Sequence, residues 1–271
     1  MNIDYVKLSP TGNITILVKT PVPRDRQGQI AKRLLDSLGG EQVGYIESPA
    51  DPAAAARLQM MGGEFCGNAS MSLGALIARD AGIREGEVRS LRLEVSGCDG
   101  LVRCTITRHE DAWEGTVGMP LPTAIEQVDL PAGGMEIRAP LVRMPGIAHL
   151  IIPAGIGLDE AALRRLLPEW TRASGADALG ALLWNAPSSF INPIVYVPSA
   201  DTLVREHGCG SGTAAVGCWL ASAAGKTYEA FIRQPGGTIL VRALVRYGAV
   251  AAVNISGTVT LVDEGSTEVD D

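Results

Sequence analysis

The chain has 271 residues, of which 46% are hydrophobic and 20% are charged, and its net charge is −7. This composition allows a sizeable core and excludes a disordered chain, and the scattered basic residues argue against a surface for nucleic acid or an anionic membrane. The N-terminus lacks the basic start and apolar stretch of a signal peptide, and no apolar run reaches the roughly 20 residues that span a bilayer. We therefore expect a cytoplasmic protein with one large domain or two ordinary ones.

In chain order, the first predicted element is a strand at residues 14–18, an apolar, β-branched run that Pro21 and Pro23 end. The apolar spacing of residues 28–38 predicts a helix ending at Gly39-Gly40, and residues 159–169 have helical spacing too. Further apolar runs predict strands at residues 91–95, 101–106, 149–152, 194–197, 238–245 and 250–255. Many strands with a few helices indicate an α+β or α/β architecture.

A repeat divides the sequence into two similar halves. The segment from Cys66 reads CGNASMSLGALIA, and the segment from Cys209 reads CGSGTAAVGCWLA. Each is followed by a Leu-Val-Arg run, and the two cysteines lie about half the chain apart. We predict one half over residues 1–118 and another over residues 119–257, because the paired prolines of residues 119–122 favour an extended connector. Residues 258–271 are expected to pack back on the first half.

Each repeat unit begins with a turn of small residues and continues as a helix rich in alanine, serine and glycine. Such a helix has few bulky side chains, so we expect it to be packed closely on all sides. A central helix wrapped by a strongly curved sheet would meet this condition in each half.

A cysteine at the start of a helix faces the positive end of the helix dipole and unpaired backbone N–H groups. These groups favour a thiolate, so we expect the pKa of Cys66 and Cys209 to lie below the ordinary value of about 8.5. The same N–H groups suit a carboxylate, which can approach closely because the neighbouring residues are short: Gly67, Asn68, Gly210 and Ser211. Two such thiols predict proton transfer at an amino-acid α-carbon, with one thiolate removing the α-proton and the opposite thiol protonating the other face.

The other three cysteines, Cys98, Cys104 and Cys218, are interpreted as small apolar core residues. An odd number of cysteines without a secretion signal indicates free thiols and not a disulfide framework. The three histidines do not complete a Cys/His cluster with zinc-site spacing. We therefore expect no metal site.

The motifs around both cysteines, CGNA at residues 66–69 and CGSGTAA at residues 209–215, resemble those of the diaminopimelate epimerases. The order PTGNITILV, EQVGYIES, GGEFCGNASMS, VSGC, CGSGTAAVG and QPGGTILVRA, over almost the whole chain, resembles still more closely the histidine racemases of staphylopine-type metallophore pathways. The resemblance implies the diaminopimelate epimerase-like α+β fold, in which each pseudosymmetric half wraps a curved, mostly antiparallel sheet around a central helix.

The same resemblance implies a cofactor-independent isomerase that interconverts L-histidine and D-histidine for opine-type metallophore biosynthesis. Its partner would be a small amino-acid substrate and not nucleic acid or a membrane. A homodimer is expected, because dimers are the commonest symmetric assembly.

Residue by residue, the resemblance implies that Cys66 and Cys209 form the acid/base pair. It implies that the amino-acid head group is held by Asn13, Gln42, Gly67, Asn68, Gly210 and Ser211. Glu41 and Glu206 would bind the amino group or an imidazole.

Two departures from the diaminopimelate epimerases bear on the substrate. Their arginine-containing loop, which grips a distal carboxylate, is shortened here to residues 205–208, and their asparagine-bearing strand is replaced by the apolar run 58–61. Both departures favour a neutral or cationic side chain. Epimerisation of diaminopimelate and racemisation of another polar or basic amino acid stay open. So does a different class, a non-catalytic thiol redox sensor or binding protein, whereas a phenazine-type isomerase would not need both cysteines.

Overall fold

The computed structural model describes residues 1–198 and 202–269. The chain divides into two compact units. Unit 1 comprises Met1–Gly118 together with the residues from Ile255 onward, and unit 2 comprises Met119–Asn254. Both units contain strands and helices, so the expected α+β class is confirmed. Within the described ranges, no helix is both long enough and apolar enough to cross a membrane.

Unit 1 contains seven strands that precede residue 120 and two helices. The strands are β1 (Asn2–Pro10), β2 (Thr15–Val18), β3 (Gln42–Glu47), β4 (Ala56–Met60), β5 (Val88–Val95), β6 (Leu101–Arg108) and β7 (Trp113–Met119). Helix α1 (Arg24–Leu38) connects the parallel pair β2 and β3, and α2 (Gly67–Asp80) connects the parallel pair β4 and β5. The pairs β1–β2, β3–β4, β5–β6 and β6–β7 are antiparallel.

Unit 2 follows the same order of elements with two additional strands, one at its start and one before its second helix. Its strands are β8 (Ala124–Ala132), β9 (Met135–Met144), β10 (Ile147–Pro153), β11 (Leu179–Asn185), β12 (Phe190–Val197), β13 (Thr202–Arg205), β14 (Tyr228–Gln234) and β15 (Gly237–Arg246). Helix α3 (Glu160–Ser174) connects the parallel pair β10 and β11, and α4 (Gly210–Ala224) lies between β12 and β14, which are also parallel. The remaining pairs, β8–β9, β9–β10, β11–β12, β12–β13 and β14–β15, are antiparallel.

The last strand, β16 (Ala249–Glu268), returns the chain to unit 1. From Val259 to Glu268 it pairs antiparallel with the whole length of β1, with a register shift between Lys7 and Leu8. Unit 1 is therefore built from both ends of the described sequence.

The helices are of two kinds. Helices α1 and α3 each bury one stripe of apolar side chains, such as Ile30 and Leu34 or Leu163 and Leu167. Helices α2 and α4 are buried over most of their surface, as the small-residue composition predicted. Strands of the same unit contact each on several sides, β1, β2, β4, β5 and β6 for α2 and β9, β10, β14 and β15 for α4.

Several predicted boundaries change. The helix predicted at residues 28–38 begins earlier, at Arg24 directly after Pro23, and ends at Leu38 as expected. The helix predicted at residues 159–169 begins at Glu160 and ends later than expected, at Ser174, with Pro168 in its interior. The strand predicted at residues 250–255 is the start of the much longer β16. The other predicted strands are present, each within four residues of its expected limits.

Candidate active site: two helix-capping cysteines

Cys66 is the N-cap residue of α2, as the sequence predicted. Its extended backbone (φ −133°, ψ 112°) turns the thiol back over the first turn, where the Ala69 N–H donates to Sγ at 3.4 Å. Gly67 and Asn68 follow in that first turn, and both are buried. The Ser70 hydroxyl donates to the Cys66 carbonyl at 2.7 Å and fixes the turn on which the thiol stands.

A chain of amide and hydroxyl groups leads away from the Cys66 thiol. Sγ donates to Gln42 Oε1 at 2.9 Å, and Gln42 Nε2 donates to Asn13 Oδ1 and to Thr15 Oγ1, both at 2.7 Å. Asn13 Nδ2 in turn donates to Glu41 Oε2 at 2.9 Å. Asn13, Glu41 and Gln42 were predicted as substrate residues, and the structure brings all three together beside Cys66.

The turn that carries Asn13 has an unusual backbone. Thr11 has φ 51° and Gly12 has φ 78°, and the Asn13 N–H closes the turn on the Pro10 carbonyl at 3.1 Å. A β-branched residue in the left-handed region is rare, and such strain costs on the order of 1–3 kcal/mol and is concentrated at functional sites. The strain at Thr11 therefore marks this turn as part of the candidate site.

The segment before Cys66 is held by the turn after β5, which contains the VSGC motif. The Ser96 hydroxyl donates to the Glu64 carbonyl at 2.8 Å and accepts from the Met60 N–H at 2.9 Å. Gly97 has φ 68°, and a Cβ there would lie 2.4 Å from the Phe65 backbone nitrogen. Glycine is required at this position because a side chain would displace the segment that leads to the thiol.

Cys209 is the N-cap residue of α4, also as predicted. Sγ accepts from the Gly212 N–H at 3.2 Å, and the Thr213 hydroxyl donates to the Cys209 carbonyl at 2.7 Å. Thr213 occupies the place that Ser70 has after Cys66, so the hydroxyl at the fourth position after each cysteine belongs to the repeat. Sequence reasoning missed it, although both motifs show it.

The side chain of Gln234, in the QPGG motif, was likewise missed. Its Oε1 accepts from the Cys209 N–H at 2.6 Å, and its Nε2 donates to Thr213 Oγ1 at 2.7 Å. Gln234 thus ties β14 to the first turn of α4 and fixes the position of the thiol. The motif entered the sequence analysis only as part of the resemblance, and nothing in it showed which helix the amide would contact.

The electrostatics of Cys209 differ from the expectation. Burial raises the pKa of the Cys209 thiol well above its ordinary value, and the charge of Glu206 and a hydrogen bond to it raise the pKa further. Hydrogen bonds from Ser211 and the Gly212 N–H lower the pKa without compensating. The predicted low pKa is therefore wrong for Cys209, because at 2% exposure the loss of hydration outweighs the helix N-terminus.

Ser211 and Gly210 lie in the first turn of α4, where they were expected, but the Ser211 side chain has a partner that was not. Ser211 Oγ lies 3.6 Å from Cys209 Sγ and 3.0 Å from Nε2 of His149 on β10. Sequence reasoning had placed His149 only in a strand, because nothing local links it to the cysteine motif.

Of the three remaining cysteines, Cys104 and Cys218 are buried, as predicted, whereas Cys98 is only partly buried in the turn after β5 and is not the core residue that was expected. Burial raises the pKa of both Cys104 and Cys218 to about 12, and burial also raises the pKa of the partly buried Cys98. Across residues 1–198 and 202–269, no three His, Cys, Asp or Glu side chains are grouped so that they could hold a metal ion.

Comparison with known proteins places this arrangement in a family. The family model described as the histidine racemase CntK N-terminal domain matches residues 2–267. The chain is 29% identical to a histidine racemase of Staphylococcus aureus over 99% of this chain and 98% of that protein, and 29% identical to one of Fusobacterium nucleatum over 80% and 81%. A hydroxyproline epimerase structure from Agrobacterium vitis superposes with a TM-score of 0.71 at 16% identity, covering 100% of this chain and 93% of that one. That likeness shows the proline racemase and epimerase fold.

Proposed function

The chain belongs to the histidine racemase CntK family and is an amino-acid racemase, and from this premise we propose that its substrate is histidine. We also propose that Cys66 and Cys209 remove the α-proton and replace it. The duplicated helix-capping cysteine is the observation that carries the proposal. Each thiol stands at the N-terminus of a mostly buried helix, and each is held by polar side chains from neighbouring elements. The diaminopimelate epimerase-like description of the fold is part of the proposal and is supported by the shared element order of the two units.

The reaction needs one thiolate and one thiol. Because burial and Glu206 disfavour a Cys209 thiolate, Cys209 starts as the acid. Cys66 starts as the base once its thiol proton, which Gln42 Oε1 accepts in this structure, has been lost to solvent. The Cys66 thiolate takes the proton from the α-carbon, and Cys209 delivers its proton to the opposite face of the same carbon. The products are the mirror-image amino acid, a Cys66 thiol and a Cys209 thiolate. This is the protonation pattern from which the reverse reaction starts.

The groups around each thiol suit the two ends of an amino-acid head group. Backbone N–H groups in the first turns of α2 and α4, at Gly67, Asn68, Gly210 and Ser211, are suited to the carboxylate. Asn13 and Gln42 supply amide groups beside Cys66. The Glu41 carboxylate, held by Asn13 at 2.9 Å, is proposed to receive a cationic group, and Glu206 beside Cys209 is proposed to do the same.

Histidine is favoured over a diacid by the charges near the cysteines. Glu206 contacts Cys209, and Glu41 is linked to Cys66 through Asn13 and Gln42. Histidine has two groups that can be cationic, the amino group and the imidazole. The distal carboxylate of diaminopimelate would instead need a cation. Arg205, in the shortened loop, is engaged elsewhere, since it donates to Asn192 at 2.9 Å and pairs with Glu160 at 3.6 Å.

The alternatives are separated by one assay. The purified protein is incubated with each L-amino acid and with diaminopimelate, and the products are resolved by chiral chromatography. We expect kcat/KM for histidine to exceed that for diaminopimelate, with activity that persists in chelator and in carbonyl reagents. A Cys66→Ser/Cys209→Ser double variant, prepared identically, controls for contaminating racemases. A clear preference for the diacid would overturn the histidine assignment, and no turnover of any amino acid would favour the redox or binding alternative.

The metallophore role, which follows from the sequence resemblance, stays a prediction. So do the cytoplasmic location, expected from the N-terminal sequence, and the homodimer, expected because dimers are the commonest symmetric assembly. In this proposal the D-histidine formed is the building block consumed in opine-type metallophore biosynthesis.

A further inference from the structure

His149 is a fully buried histidine beside the first turn of α4. Its Nε2 lies 3.0 Å from Ser211 Oγ, while its Nδ1 has no hydrogen-bond partner among residues 1–198 and 202–269. The ring lies against Gly180, its neighbour across the parallel β10–β11 pair, and a Cβ at residue 180 would stand 2.3 Å from Nδ1. The ring can occupy this position because residue 180 on β11 has no side chain.

The surroundings of the ring determine its protonation and its tautomer. Burial lowers the pKa of His149 to about 3, so the imidazole is neutral at physiological pH. A neutral imidazole has one N–H. A proton on Nδ1 would leave a buried donor without an acceptor, whereas a proton on Nε2 reaches Ser211 Oγ. Nε2 therefore donates to Ser211.

This assignment directs the serine hydroxyl. Since Ser211 Oγ accepts from His149, its own hydrogen is free to point to Cys209 Sγ, 3.6 Å away. A donor aimed at sulfur stabilises the thiolate more than the thiol. It opposes the effect of Glu206, whose negative charge disfavours the thiolate.

We propose that His149 is a positioning residue that acts through Ser211, holding the serine hydroxyl as a donor to Cys209 so that the buried thiolate can form during turnover. The inference rests on the proposed function, because the proposed reaction leaves Cys209 as a thiolate after every forward turnover. At Cys66, Asn68 stands in the place of Ser211, and the Cys66 thiol contacts Gln42.

Several elements supply the groups that act on Cys209 or on its backbone. Glu206, from the segment before α4, acts directly, and His149, from β10, acts through Ser211. From β14, the Gln234 amide binds the Cys209 backbone. From β11 and β15, α4 receives apolar contacts from Leu182 and Val241.

The test compares three variants of the full chain: Ser211→Ala, His149→Leu and His149→Gln. The first two remove the hydroxyl or the ring donor, whereas a glutamine amide at residue 149 keeps an N–H near the position of Nε2. Iodoacetamide labelling at fixed pH, read by peptide mass spectrometry, reports the thiolate fraction of Cys209 separately from that of Cys66. We expect about tenfold slower labelling of Cys209 in Ser211→Ala and His149→Leu, with little change at Cys66 and near wild-type labelling in His149→Gln.

The pH profile of histidine racemisation provides a second readout. With D-histidine as the substrate, for which Cys209 is the base, the rising limb of kcat/KM should move about one pH unit to the alkaline side in Ser211→Ala and His149→Leu but not in His149→Gln. Equal slowing at both cysteines, or wild-type labelling of Cys209 in Ser211→Ala, overturns the inference. If His149→Leu does not fold, the labelling of Cys209 in Ser211→Ala and His149→Gln still tests the inference. Selective slowing at Cys209 in a protein that racemises no histidine would refute the proposed function and leave the effect of Ser211 on the thiol intact.

Discussion

At the scale of single residues, the five cysteines lie in two kinds of surroundings. Only Cys66 and Cys209 cap helices, and both bind polar side chains. Substituting either by serine should lower histidine racemisation by at least about a hundredfold, because a hydroxyl is far too weak an acid to serve as the base near neutral pH. Chiral chromatography over a time course measures the loss.

The other thiols provide matched controls for these substitutions. Cys98→Ser, Cys104→Ser and Cys218→Ser should keep most of the activity, with Cys98→Ser the mildest change because Cys98 is only partly buried. A Cys66→Ser protein that racemises at nearly the wild-type rate would remove the central role of this thiol.

His149 predicts a pH dependence of stability. Its pKa is about 3 in the folded state, against an ordinary value of 6.5. As pH falls below 6.5, the unfolded chain binds a proton that the folded chain excludes, so stability is lost progressively down to about pH 3. Between pH 7 and pH 5, wild type should lose about 2 kcal/mol more free energy of unfolding than His149→Leu. Urea unfolding at the two pH values measures this difference.

The control for the pH experiment is the exposed His109. His109→Gln should follow the wild-type loss of stability between pH 7 and pH 5. Identical losses for wild type and His149→Leu would mean that the imidazole is accessible to protons in the folded protein.

Sequence reasoning identified the site residues that lie in recognisable short motifs and missed those that lie far from these motifs in the sequence. Asn13, Glu41 and Gln42 could be selected because they stand in recognisable short motifs, and the structure joins them to Cys66. His149 stands 62 residues from Ser211 in an apolar strand, and only the pairing of β10 with β11 brings its ring to α4. The prediction of a low pKa for Cys209 was wrong for a related reason, since burial depends on all the surrounding elements.

At the scale of elements, the glycines of the buried helices fix how closely the strands approach. A Cβ at Gly217 in α4 would lie 2.5 Å from Val241 Cγ2 on β15. Gly→Ala inside a helix normally stabilises by about 1 kcal/mol, but overpacking of this kind costs about 1–3 kcal/mol. Because Val241 is branched at Cβ and buried, the clash should dominate. We expect Gly217→Ala to lower the thermal unfolding midpoint.

Gly28 in α1 is the matched control for this substitution. It is exposed, and a Cβ there would meet nothing within 4 Å. Gly28→Ala should therefore stabilise the protein by about 0.5–1 kcal/mol. A Gly217→Ala variant stabilised as much as Gly28→Ala would show that β15 can move away from α4 at little cost.

The elements predicted from sequence are those with continuous apolar runs or small-residue helices. Strand β1, with the sequence NIDYVKLSP, is among the strands that went unrecognised, because polar and apolar residues alternate along it. Asn2 and Asp4 are exposed while Ile3 is fully buried, so the signal of this strand is a period of two residues and not an apolar run. Strand β14, with YEAFIRQ, also went unrecognised, and its Gln234 is buried. Helix α1 was started too late because its first turn, Arg24 to Gln27, is mostly charged.

At the scale of the whole molecule, the origin of the α-hydrogen in substrate and product distinguishes a two-base from a one-base mechanism. In D₂O, starting from L-histidine, early turnover should place deuterium in the D-product while recovered substrate stays largely unlabelled. One base serving both faces would return part of the abstracted protium to the product and exchange label into the substrate. Mass spectrometry of each enantiomer measures both quantities. Substantial early protium in the product of the wild-type enzyme would rule out the two-thiol mechanism.

The return of β16 to β1 has a consequence for how the protein is made. Synthesis proceeds from the N-terminus at about 5–20 residues per second, and domains generally fold as units as they emerge. All the residues of unit 2 leave the ribosome before the stretch 259–268 that pairs with β1. Until then one edge of β1 presents unpaired backbone groups, which are prone to aggregation. The unit with Cys209 can thus finish folding first, and a chain truncated before residue 259 would leave the Cys66 unit without a strand it needs.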